Sequence, residues 1–133
     1  MPETLKGSCL CGAIKYEMLS HPKAVSHCHC SQCRKGHGAA FATYGIVPRT
    51  DLRFVAGEGY VAGYASSPGV LRQFCKQCGA NITWSQTTGE DADQVSVALG
   101  TLDTPIEPRQ QEHIEVASKA SWYRIEDHWP RSD

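Results

Sequence analysis

Seven cysteines fall into three tight groups, and their spacing says more about chemistry than any other feature of the chain. Cys9 and Cys11 are separated by one residue, so on an extended segment both sulfurs project from the same face, and Gly12 lets the backbone turn immediately afterwards. Cys75-Lys76-Gln77-Cys78-Gly79 has the zinc-knuckle pattern: two residues between thiolates form a tight turn, and the glycine can take the positive φ that the turn demands. Neither pair completes a tetrahedron alone. Together they offer the four thiolates of a closed structural zinc site, with Zn–S bonds near ~2.3 Å.

The remaining three, in Cys28-His29-Cys30-Ser31-Gln32-Cys33, combine both spacings in one loop that can wrap a single ion with three sulfurs. Three protein ligands and an open fourth position is the arrangement of catalytic zinc, whereas structural sites are filled. A second structural zinc completed by His27, His29 or His37 is the competing arrangement. Three thiolates carry one negative charge more than the dication neutralises, which makes a poor Lewis acid and disfavours activation of water. A substrate thiol suits the open position better, because a soft ion holds it as a nucleophilic thiolate at neutral pH. The chemistry expected of Cys28, Cys30 and Cys33 is therefore at carbon–sulfur bonds, with the metal there the more labile of the two.

Arg34 and Lys35 follow directly and could offset the excess charge or meet a substrate carboxylate, the bland alternative being two solvated cations. His29, between two ligands, is expected to point away from the ion. His21, His113 and His128 have no cysteine neighbours and read as surface or packing residues. Trp84, Trp122, Trp129, Phe41 and Tyr44 could line a pocket, although aromatic residues are more often core.

The elements that must position these groups are mostly strands. Ile14, Tyr16 and Met18 alternate with charged neighbours, and similar runs recur at 39–47, 52–55, 59–64, 70–75, 80–85 and 94–99, with one more suggested by Ile114 and Val116. Helical periodicity is confined to one turn at Ser31 to Lys35 and another at Ser121 to Asp127, while Thr87 to Asp93 reads as an exposed acidic loop. No repeat or linker divides the 133 residues, so residues 1–133 are expected to form one mainly β domain. Its 41% hydrophobic content with 12 glycines and 7 prolines leaves a lean core, for which a four-cysteine zinc staple would compensate.

A formal charge of −1 gives no footprint for a phosphate backbone, so no nucleic-acid partner is expected. No apolar run reaches the ~18 residues of a membrane span, and the start lacks the pattern of an export signal. A cytoplasmic location, reduced thiols and no membrane partner follow as expectations. The assembly state is open, with a homodimer one candidate.

Gly7-Ser8-Cys9-Leu10-Cys11-Gly12, Cys28 to Lys35 and Phe74-Cys75-Lys76-Gln77-Cys78-Gly79, followed by Leu99-Gly100-Thr101-Leu102-Asp103, His113-Ile114-Glu115-Val116 and Lys119-Ala120-Ser121-Trp122, together resemble the glutathione-dependent formaldehyde-activating enzyme family, also described as centromere-protein-V-like. The resemblance covers nearly the whole chain; Ser121 stands where members often have proline. It implies an Mss4-like, β-rich fold with a structural zinc on Cys9, Cys11, Cys75 and Cys78 and a second zinc on Cys28, Cys30 and Cys33. It also implies a carbon–sulfur lyase activity on the adduct of glutathione with formaldehyde. A non-catalytic interaction module, or a thiol and zinc carrier on the same fold, is the alternative, and an iron–sulfur centre ranks behind both.

Overall fold

The structure, a computed structural model, describes residues 4–133. Its strands are β1 (Leu5–Ser8), β2 (Lys15–Met18), β3 (Val25–Cys28), β4 (Ala42–Pro48), β5 (Leu52–Ala56), β6 (Val61–Ser67), β7 (Val70–Cys75), β8 (Asn81–Gln86), β9 (Gln94–Ala98) and β10 (Gln111–Ile114), with one short helix, α1 (Ser31–His37), between β3 and β4. The mainly β expectation holds. Among the described residues, no helix is long and apolar enough to cross a membrane.

Two sheets carry the architecture. A three-stranded sheet has the order β1-β2-β5, and a seven-stranded sheet has the order β10-β3-β4-β9-β8-β7-β6. All neighbours are antiparallel except β10, which pairs parallel to β3 with His113 opposite His27 and Ile114 opposite Cys28. The main core gathers Leu5, Ile14, Tyr16, Met18, Val47, Ile82, Val95 and Val97 with Cys9 and Cys75. Period-two alternation places these residues inward: in β2, Tyr16 and Met18 are buried while Lys15 is exposed. Gly7 opposes Tyr16, and a Cβ there would lie 2.3 Å from its hydroxyl oxygen, so only glycine admits the buried ring. That hydroxyl lies 2.7 Å from Thr101 Oγ1, which satisfies the polar tip of a fully buried side chain.

A smaller core of Cys28, Cys33, Ala42, Tyr44 and Ala98, flanked by Trp84 and Ile114, lies under α1. The two cores thus contain one cysteine cluster each.

Several elements depart from the sequence expectation. β1 and β3 have no predicted counterpart: both are short and carry no clean alternation of apolar and charged residues, β1 having Gly7 at an inward position and β3 burying Ser26 along with Val25 and Cys28. The strand expected around Ile114 and Val116 ends at Ile114, and Val116–Ser118 forms a 3-10 turn. Ser121 to Asp127 forms a turn at its start and no helix. Its carbonyls are claimed by cations instead, with Lys119 Nζ donating to Ala120 and Tyr123 and Arg131 donating to Ile125. Ile125 is buried, but Trp122 is 72% exposed, so the two do not share an apolar face. The acidic loop at 87–93 is exposed as expected, anchored by Arg49 Nε donating to the Ala92 carbonyl at 3.0 Å.

Candidate metal centres

The Sγ atoms of Cys9, Cys11, Cys75 and Cys78 all lie within 4.8 Å of one another, a group that could hold a metal ion. Cys9 follows β1, Cys75 ends β7, and each pair is closed by a glycine at φ +80°, Gly12 and Gly79. The left-handed conformation at both positions is the one the knuckle spacing requires of glycine. N–H groups converge on the sulfurs: Ile14 N–H on Cys9 at 3.2 Å, Cys78 N–H on Cys75 at 3.5 Å and Gln77 Nε2 on Cys11 at 3.3 Å. Donors aimed at sulfur favour the thiolate that a metal needs. Amide hydrogen bonds from Ala80 and Cys11 pull the Cys78 thiol down to about 6.

The second group, Cys28, Cys30 and Cys33, also has its sulfurs within 4.8 Å of one another. β3 delivers Cys28, and α1 delivers the other two. Cys30 is the N-cap of α1, and its Sγ accepts from Cys33 N–H at 3.3 Å. In this cluster negative charge settles on Cys33, whose pKa is lowered to about 6 by the hydrogen bond from Cys28, against the opposing effect of burial, with Cys30 and Arg72 assisting. No histidine among the described residues joins the group. His27 is held by Thr43 and Gln111, His29 by His113, and His37 by Tyr44.

A cavity of about 490 Å³ opens beside the three sulfurs, lined among others by Tyr44, Trp84, Arg72 and Glu115. Arg72 reaches in from β7, its guanidinium 3.8 and 3.9 Å from Cys33 Sγ and 3.4 Å from Tyr44 Oη, with Nε donating to Ser66 Oγ at 3.0 Å. Burial, reinforced by the nearby Cys33 charge, raises the Tyr44 pKa and keeps its hydroxyl protonated. Glu115 is the only described non-glycine residue at positive φ (57°).

The structure separates the two cations read from the sequence. Arg34 Nε donates to the Ser118 carbonyl at 3.1 Å and does not line the cavity, while Lys35 lines an adjoining cleft together with Arg72. Arg72 escaped the sequence reading. The signal for it was present: one arginine in the strand Val-Leu-Arg-Gln-Phe-Cys is a cation out of place on an apolar surface. Of the aromatics, Tyr44 and Trp84 line the cavity, Phe41 packs on the histidines, and Trp129 stacks on His128.

Beside the cysteine loop, two buried imidazoles, His29 and His113, form a hydrogen-bonded pair, with the half-buried His27 ring packed against His113. His29 points away from the sulfurs and is fully buried, its Nε2 2.8 Å from His113 Nδ1, and His113 Nε2 lies 2.9 Å from the Asp127 carboxylate. Burial, with His113 and His27 nearby, depresses the His29 pKa to about 4 and keeps it neutral. If Asp127 accepts from His113 Nε2–H, then His113 Nδ1 accepts from His29 Nε2–H, and the buried His29 Nδ1 is left with no partner. His113, read from sequence as a surface or packing residue, is 1% exposed and is the centre of this relay.

A family model described as glutathione-dependent formaldehyde-activating enzyme matches residues 4–118. An uncharacterised lyase of Schizosaccharomyces pombe is 33% identical over 91 residues, covering 68% of this chain and 64% of the relative. A protein of Phaeosphaeria nodorum, provisionally named glutathione-dependent formaldehyde-activating enzyme, is 37% identical over 76 residues, 56% of this chain and 40% of that one. The matched stretches span less than two thirds of either relative's length. Among solved structures, the crystal structure of a Rhodobacter sphaeroides protein is similar with a TM-score of 0.62 and 27% identity, over 78% of this chain and 92% of the other.

Proposed function

The chain belongs to the glutathione-dependent formaldehyde-activating enzyme family, and from that premise we propose that it is a lyase-type enzyme acting on a carbon–sulfur bond, the bond between a small glutathione-like thiol and formaldehyde or a related electrophile. The observation that carries this reading is the second cluster: three sulfurs within 4.8 Å of one another, bordering a cavity large enough for a small ligand.

All seven donors are soft sulfurs at mutual distances that suit one ion per cluster, so both clusters fit zinc. Cys9, Cys11, Cys75 and Cys78 would hold a structural ion, and Cys28, Cys30 and Cys33 a second, more labile one with room for a further ligand. Zinc at the second cluster would supply a lowered pKa for a substrate thiol and fix its sulfur beside the cavity.

The chain's own groups account for the rest. Arg72 offsets part of the negative charge gathered on the sulfurs. Trp84 and Ile46 restrict water on the apolar wall. In the synthetic direction the substrate sulfur bonds to the carbonyl carbon, the carbon–oxygen π pair moves to oxygen, and that oxygen takes up a proton to become a hydroxyl. Tyr44 Oη lines the cavity and stays protonated; with His37 Nε2–H and Arg72 both donating to it, its own proton would be the one offered to that oxygen.

A second reading, a non-catalytic interaction module, draws support from Leu10 and Trp122, 85% and 72% exposed. Titrating glutathione into the cobalt-substituted protein separates the two. A change in the thiolate-to-cobalt charge-transfer band, with formaldehyde consumed faster than in the uncatalysed addition, supports the enzyme. A silent spectrum favours the module.

A further inference from the structure

Arg72 forms part of the wall between two hollows. One is the cavity beside the three sulfurs; the other is a cleft of about 590 Å³ whose lining includes Lys35, Arg72, Gln32, Asn81, Tyr64 and Phe74. Two cations border this cleft, and none of its lining residues is Asp or Glu. Neither cation is ion-paired with a carboxylate of a described residue. Arg72 directs its donors to Ser66, Tyr44 and Cys33, and Lys35 is exposed on α1, two positions beyond Cys33.

Arg53, paired with Glu17 at 2.7 Å, is the only lysine or arginine ion-paired to a carboxylate among the described residues, so what distinguishes the cleft is the absence of acid from its lining and not the lack of a pair. An acid-free cleft with two cations on its wall is electrostatically complementary to an anion such as a carboxylate. The remaining lining is suited to an uncharged, peptide-like stem. Gln32 and Asn81 offer side-chain amides, the latter oriented by its Nδ2 donating to the Gly36 carbonyl at 2.8 Å, and Tyr64 and Phe74 provide flat apolar contact.

We propose that the Lys35–Arg72 cleft is the specificity subsite of the enzyme: it binds a carboxylate carried on a peptide-like arm of the thiol substrate, whose sulfur lies in the neighbouring cavity. The proposal rests on the reading that the three-sulfur cavity takes a thiol, and it adds that neutral thiols are poor substrates. Lys35 acts by charge alone. Arg72 acts on both sides of the wall, because its charge is shared with Cys33.

The test compares glutathione, its diethyl ester and 2-mercaptoethanol, titrated into cobalt-loaded wild type, Lys35→Gln, Arg72→Gln and Arg72→Lys, with dissociation constants read from the charge-transfer band. Wild type is expected to bind glutathione about tenfold more tightly than its diester, which differs only in its masked carboxylates. Lys35→Gln, a change on an exposed helix position, is expected to weaken glutathione about fivefold and to leave 2-mercaptoethanol within about twofold, an effect that added salt reduces. Arg72→Gln should weaken glutathione further, with Arg72→Lys restoring part of the loss. Equal binding of glutathione and its diester by wild type, or a Lys35→Gln loss of equal size for all three thiols, overturns the subsite and leaves the thiol reading standing. No spectral response to any thiol overturns both.

Discussion

Asp127 lies far from the cysteines in sequence, yet its carboxylate orients His113, and His113 holds His29 in the middle of the metal loop. The hydrogen bond from His113 holds the Asp127 carboxyl below its ordinary value of 3.8. Below 3.8 the unfolded chain therefore binds more protons than the folded one. The contribution of this contact is complete above that value and is lost as pH falls through the lower folded value. Asp127→Asn should unfold at lower urea than wild type near neutral pH, and the gap between the two midpoints should narrow as pH is taken from about 4 to about 2. The cysteine groups were legible in sequence because each is defined by neighbours in the chain. The partners were not: Arg72 is 39 residues from Cys33 and His113 is 84 from His29, separations that only the order of the sheet closes.

At the scale of elements, strand pairing sets both clusters. The N-terminal cluster needs β1 and the end of β7 side by side in space, and the turn after β5 passes closely behind it. Gly57 in that turn has φ +71°, and a Cβ there would lie 1.9 Å from the Ala13 carbonyl oxygen, one residue beyond Gly12. Because the obstacle is backbone, a flexible side chain cannot give way. Gly57→Ala should cost about 2–4 kcal/mol in chemical denaturation, a combination of overlap and a disfavoured conformation. β2, with its apolar and charged residues in strict alternation, and the longer strands β4 to β9 were readable from sequence. β1 and β3 were not, since Gly7 breaks one pattern for the sake of Tyr16 and His27 enters the other to bond Thr43 and Gln111. The expected helical turn at Ser121 to Asp127 failed for a tertiary reason: Lys119 and Arg131 take the carbonyls that a helix would use.

Across the whole molecule, the four-cysteine cluster ties the segment after β1 to the turn after β7, joining the three-stranded sheet to the seven-stranded one through the main core. Zinc at such a cluster contributes on the order of 10 kcal/mol, comparable to the net stability of a domain. The three-cysteine cluster brings together only β3 and α1, adjacent in the chain, so a metal there would close no long loop. On the proposed function, one cluster would hold the fold and the other would exchange a ligand. Metal content per chain, measured for wild type and for Cys30→Ser with circular dichroism on the same samples, tests this division most directly; serine keeps a side chain able to cap α1. Two zinc ions per wild-type chain, and one per folded Cys30→Ser chain, is the predicted result. A single zinc in wild type, or a Cys30→Ser chain that loses both ions and its fold, would contradict it.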